Sequence, residues 1–194
     1  MANSVVIIAG TPGVGKTSLA KVLADIFNAK HIDLSELTIS KKLFSYYDEE
    51  RESYVINENA VVDEVLKLVK SEERIIIDTH YPEILPSSIV DKVIVLRLNP
   101  LILEERLRRK NWSWKKIREN VLAEILSVVS INAIEKFGPN KVYEIDATGK
   151  SINEIAEIAV KIISGEYGHK QGTSIDWLEK LPLDIILRYE RKEA

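Results

Sequence analysis

The chain of 194 residues is 45% hydrophobic and 29% charged, proportions of a folded globular domain that exclude a disordered, fibrous or low-complexity protein. Its 27 Lys and Arg against 30 Asp and Glu give a formal net charge of -3, which excludes a polycation built to coat nucleic acid; no direct DNA binding is expected. The absence of cysteine removes disulfides, thiolate nucleophiles and cysteine-based metal sites. No run approaches the roughly 20 apolar residues of a membrane span, so a soluble cytoplasmic protein without a membrane partner is expected.

Residues 5–9, Val-Val-Ile-Ile-Ala, form a continuous β-branched run that predicts a strand buried on both faces. A glycine-rich turn follows, and Leu19, Val22, Leu23 and Ile26 then recur at helical spacing, predicting a helix over about 16–28. A weaker strand is expected at 31–34 and stronger ones at 74–78, 92–98 and 141–146, with helices between them at 58–70, 101–110 and 152–164. Residues 113–137 read as one long helix, with Ser113 as N-cap and Gly138-Pro139 as the stop. This alternation predicts an α/β fold, a parallel sheet covered on both faces by right-handed crossovers. From Gly165 onward the pattern loosens; the tail is expected to be an appended helix or irregular chain.

The turn Gly10-Thr-Pro-Gly13-Val-Gly15-Lys16-Thr17 fits G-x-x-x-x-G-K-[ST] at every fixed position, with the required strand before it and helix after it. Gly13 and Gly15 let the backbone wrap an anion, and N–H groups at the helix start hold phosphate oxygens. Lys16 would reach the β- and γ-phosphates of ATP, Thr17 would ligate Mg2+, and Ser18 adds a contact. Asp78 ends a predicted strand and is the candidate second metal-binding group; the plainer alternative is an acidic cap. His80, two residues on, could orient a water or touch a phosphate because an imidazole titrates near neutrality, or it could be structural. Residues 104–119 hold seven basic and three acidic groups with Trp112 and Trp114 between them. That cluster could close over a triphosphate, form a solvated basic face, or make an RNA-facing surface.

Taken together, residues 10–17, Asp78-x-His80, Tyr47-Asp48-Glu49-Glu50, Val61-Val62-Asp63-Glu64 and Val95-Leu96-Arg97 resemble the nuclear adenylate kinase isoenzyme 6 family, the coilin-interacting nuclear ATPase of eukaryotes and its archaeal members. The likeness runs over about residues 5–163. It implies a P-loop NTPase fold of the nucleoside monophosphate kinase type, with a five-stranded parallel sheet. Residues 1–165 would form the kinase domain, with a monophosphate-binding insert at about 33–56 and a short lid at about 109–119, and 166–194 would be a C-terminal extension. It further implies catalysis by Lys16, Asp78, His80 and Arg106, with AMP as acceptor, Arg106 against adenine, Lys110 on phosphate, and the loop through Lys150 beside the base. A monomer is expected. Family members are implicated in small ribosomal subunit maturation, which implies a basic small-subunit ribosomal protein and the pre-ribosome as partners, met by the acidic run 48–52. Two departures stand out: Ile39 occupies the place of the arginine that pairs with the acceptor phosphate, leaving Lys41 or Lys42 as substitutes, and the lid reads Lys110-Asn111-Trp112.

Overall fold

The structure is a computed structural model that describes residues 4–49, 52–166, 172 and 174–190. Five parallel strands, β1 (Ser4–Ala9), β2 (Lys30–Asp33), β5 (Arg74–Thr79), β6 (Lys92–Arg97) and β7 (Val142–Asp146), form a sheet in the order β2-β5-β1-β6-β7. The intervening β3 (Phe44–Asp48) and β4 (Ser53–Ile56) pair with each other as an antiparallel hairpin. Alternate residues of the central strand serve opposite faces. Val6 and Ile8 pack under α1 (Lys16–Phe27), α4 (Pro100–Arg109), α5 (Trp114–Ile125) and α7 (Ile152–Ser164), through Leu19, Leu23, Leu103, Leu107, Val121 and Ala159. Val5, Ile7 and Ala9 pack under α2 (Leu34–Ser40), α3 (Glu58–Ser71) and α6 (Val128–Phe137), through Leu34, Val61, Val65 and Phe137. Burial on both faces is why these strands read as unbroken apolar runs.

The single helix expected at 113–137 is two. It breaks at Leu126 and Ser127, the latter in the left-handed region with φ 57°. The break sends the two halves to opposite faces of the sheet: Val121 and Ile125 belong to one apolar layer, Val129 and Ala133 to the other. Helical periodicity continues through the joint, and neither Gly nor Pro marks it. The hairpin was not anticipated either. The tail is ordered over 174–190, where α8 (Trp177–Lys180) and α9 (Leu183–Glu190) follow each other and Tyr189 is completely buried. Among the described residues no helix is long and apolar enough to cross a membrane.

Candidate nucleotide-binding site

The turn between β1 and α1 lies over the carboxyl ends of the central strands, where ligands of open α/β sheets bind. Its glycines have separate reasons to be there. Gly10 has φ 142° and a Cβ at that position would lie 2.5 Å from the Leu96 carbonyl oxygen; Gly13 has φ 96° and a Cβ there would meet Leu107 at 2.9 Å and Leu103 at 3.0 Å. Gly15 needs only its left-handed φ of 114°. Helices α2, α3, α4, α5 and α7 each begin with a side-chain cap, from Asp33, Asn57, Asn99, Ser113 and Ser151 respectively. Helix α1 begins at Gly15 with none, so its first N–H groups face the turn.

Lys16 is buried and folds back across the turn, its Nζ donating to the Thr11 carbonyl at 3.2 Å. Burial pushes its ammonium down from 10.5 to about 8; Asp78, Asp33 and Glu124 oppose the shift and Lys110 adds to it. Lys110 is thereby placed within electrostatic reach of the turn. The Thr17 hydroxyl donates to Asp78 Oδ1 at 3.0 Å, and His31 Nε2 lies 2.6 Å from Asp78 Oδ2. Asp78 is therefore no helix cap: it is a buried carboxylate aimed at the start of α1. The register of β2 on β5 sets Asp33 beside it. His31 was missed because its strand is short and weakly patterned; an imidazole facing a known strand-end carboxylate is the signal that would have found it.

His80 stacks on Tyr81 at 4.0 Å between ring centroids. Its titration lies well below the neutral range the sequence suggests: burial first, then the charge of Lys16, pushes it from 6.5 down to about 4. Without nucleotide the His80 ring is therefore held neutral at neutral pH. Arg106 Nη1 donates to the carbonyls of Gly13 and Val14, both at 3.3 Å, and braces the turn from outside. Ser18 is exposed on the first turn of α1, and Lys150 is exposed beside the Asp146 to Gly149 turn, where Thr148 N–H donates to Asp146 and Thr148 Oγ1 accepts from Asn99 N–H.

The basic cluster is engaged within the chain. Arg108 lies over the Trp114 ring at 4.9 Å and Lys116 over Trp112 at 4.7 Å, while both indoles pack on the apolar layer under α4 and α5. Each ring thus meets a cation of its own chain on one side and the apolar layer on another, and both stay partly exposed. Segment 109–119 also meets the hairpin tip: Lys116 Nζ donates to the Glu52 carbonyl at 2.9 Å and Ser113 Oγ to the Glu52 carboxylate at 3.2 Å. The acidic run is thus partly spent inside the molecule; Glu50 lies outside the described residues. In α2, Ile39 is half exposed, and Lys41, one of the two substitutes for an arginine there, is paired with Glu64 at 3.4 Å.

A family model described as "AAA domain" matches residues 6–127. A protein of Saccharolobus solfataricus named "Putative adenylate kinase" is 42% identical over 151 residues, which cover 78% of this chain and 79% of that one. One of the same name from Sulfurisphaera tokodaii is 38% identical over 189 residues, 96% of both chains. Among solved structures, shikimate kinase from Bacteroides thetaiotaomicron superposes with a TM-score of 0.54 at 18% identity, over 83% of this chain and 98% of that one. That likeness establishes the P-loop kinase fold.

Proposed function

The chain belongs to the family of the archaeal proteins named "Putative adenylate kinase", and on that premise we propose that it is an adenylate-kinase-type phosphotransferase that converts ATP and AMP to two ADP. The observation that carries the reading is the buried Lys16 curled over a three-glycine turn with the Thr17–Asp78 pair, 3.0 Å apart, at its mouth. Two hard oxygen donors at that spacing fit Mg2+, which would supply charge neutralisation on the phosphates. In this reading Gly13, Gly15, Thr17 and Ser18 bind phosphate and metal, Lys16 leaves the Thr11 carbonyl for phosphate oxygens, and Arg106 and Lys110 bring positive charge over the turn. Lys150 borders the base. His80 borders the turn as a hydrogen-bonding imidazole. The acceptor is already an anionic nucleophile, so positioning and charge stabilisation carry the rate and no general base is needed.

A second reading is favoured by the acceptor side, where α2 offers Ile39 and an ion-paired Lys41 in place of an arginine. There the chain is chiefly an ATPase, like the nuclear isoenzyme 6 proteins it resembles, acting with a basic small-subunit ribosomal protein. Purified protein with Mg-ATP, with and without AMP, separates the two. The kinase forms two ADP only when AMP is present and releases no phosphate, the ATPase releases phosphate without AMP, and absence of both overturns both. Lys16→Ala abolishes turnover in either case; retained turnover refutes the site.

A further inference from the structure

Residues 174–190 lie beyond the strand and helix alternation that builds the sheet, yet they bury Trp177 and Tyr189. Each of these side chains ends on a carboxylate of a helix that touches the phosphate turn.

The first carboxylate is Glu124 of α5, 2% exposed. Its Oε2 accepts the Thr11 hydroxyl at 2.6 Å. Its Oε1 accepts from Arg97 Nε at 2.8 Å, Leu98 N–H at 3.1 Å and Trp177 Nε1 at 3.2 Å. Arg97, buried to the same degree, also donates through Nη1 to Glu144 at 2.5 Å and to the Ile175 carbonyl at 3.2 Å. The other oxygen of Glu144 accepts the N–H groups of Ser174 at 2.5 Å and Ile175 at 2.9 Å. Two carboxylates against one guanidinium leave a negative charge in a dry place, and the tail donors Trp177, Ser174 and Ile175 join Thr11, Leu98 and Ser130 in offsetting it. Without them the cluster would have to take in water or shift, and Thr11 would shift with it.

The second carboxylate is Glu104 of α4, which accepts from the Tyr189 hydroxyl and Arg188 as well as from Arg108. The neighbouring flank of that helix presents Leu103 and Leu107 against Gly13, and Arg106 reaches the Gly13 and Val14 carbonyls. A well-packed contact of this kind transmits displacement because no slack absorbs it. The tail therefore holds both helices that hold the turn.

We propose that residues 174–190 form a strap that completes the nucleotide site from behind, with Glu124 as the positioning residue that passes strap docking to the phosphate turn through the Thr11 hydroxyl. Thr11 is the residue whose carbonyl receives Lys16, so its setting fixes where the phosphate-binding ammonium waits. The proposal rests on the nucleotide-binding reading of that turn. By linkage, Mg-ATP binding must stabilise strap docking by the factor with which docking raises affinity.

The test uses the full chain and Mg-ATP as probe. Trp177→Phe keeps an aromatic ring and removes the donor; Thr11→Val removes the hydroxyl at the other end. Each is expected to weaken Mg-ATP binding in calorimetry about five- to tenfold, the lower range of such couplings. The double variant is expected to bind no more weakly than the weaker single one, since both cut the same path. In the wild type Mg-ATP slows amide hydrogen exchange over 174–190, and in Thr11→Val it does not. Unchanged affinity in Trp177→Phe, additive losses, or exchange in the tail that ignores Mg-ATP would each overturn the strap, even if Trp177→Phe lowers the unfolding midpoint. If Trp177→Phe does not fold, Thr11→Val and the exchange measurement decide alone. A wild-type chain that binds no Mg-ATP overturns the nucleotide reading and the strap together, whereas wild-type binding with unaffected variants removes only the strap.

Discussion

Replacing Lys16 by methionine should make the nucleotide-free protein more stable while destroying its function. Methionine matches the lysine stem in length and carries no charge. The folded chain lowers the Lys16 ammonium from 10.5 to about 8, and at about 1.4 kcal/mol per pH unit that is a cost of about 3 kcal/mol for keeping the charge buried. The unfolded chain holds more protons than the folded one between pH 8 and 10.5, so this cost is fully present below pH 8 and fades as pH rises to 10.5. Lys16→Met removes it but also loses the hydrogen bond to the Thr11 carbonyl, worth about 1 kcal/mol net. A gain of about 2 kcal/mol at pH 7 remains, which for a chain of this size raises the unfolding midpoint by about 4–8 °C. Urea titrations of both proteins at pH 7 and pH 10, without nucleotide, measure it directly. A variant no more stable than wild type at pH 7, or one whose advantage is undiminished at pH 10, would refute the reasoning. In the same variant Mg-ATP should no longer raise the midpoint.

Because His80 titrates at about 4 in the folded chain and 6.5 when free, the unfolded chain binds more protons below about pH 6.5. Stability contributed by the neutral ring is therefore complete above that pH and lost as pH falls toward 4. Ring resonances of His80 followed by NMR should stay those of a neutral imidazole down to pH 5, and a midpoint between 6 and 7 would contradict the burial argument. Gly13→Ala should weaken Mg-ATP binding more than Gly15→Ala: both demand a left-handed alanine, but only the former drives a methyl into Leu103 and Leu107. Calorimetric affinities in the reverse order would show that packing of α4 does not set the turn.

The strands, most helices and the phosphate turn were readable because each rests on a local pattern. The helix expected at 152–164 is α7 residue for residue, and a capping box in which Ser151 and Glu154 bond reciprocally starts it. What local pattern does not encode is which face of the sheet a helix must cover. The Ser127 break is invisible for that reason: nothing before it changes in period, and only the need of Val129 and Phe137 for the opposite layer forces the turn. The hairpin is not legible because no glycine marks its turn and Tyr46, Tyr47 and Tyr54 stay exposed, so no buried alternation betrays the strands. Of the site, Lys16, Thr17 and Asp78 were legible from spacing. Glu124, Thr11 and His31 were not, because each acts across more than one element; the charge of Arg97 at the end of an apolar strand was the available hint that a buried acid must meet it.

The net charge of -3 hid a division of labour that the structure locates. Residues 104–119 carry an excess of four positive charges and the rest of the chain seven negative ones. Part of that negative charge surrounds Lys16, where Asp78, Asp33 and Glu124 oppose the cost of its burial. Too little acid there and burial would discharge the lysine at neutral pH; too much and the site would repel a triphosphate. A balance near pH 8 keeps Lys16 charged under neutral conditions yet weakly satisfied, held by a neutral carbonyl that phosphate oxygens can outcompete. At the hairpin tip the cation meets a neutral group: the Glu52 backbone carbonyl accepts from Lys116, and the Glu52 carboxylate accepts the Ser113 hydroxyl. The same logic therefore applies at both places: a cation beside the phosphate turn, Lys16 or Lys116, is held by a backbone carbonyl and not by a carboxylate, a contact that phosphate oxygens outcompete more easily than they would an ion pair.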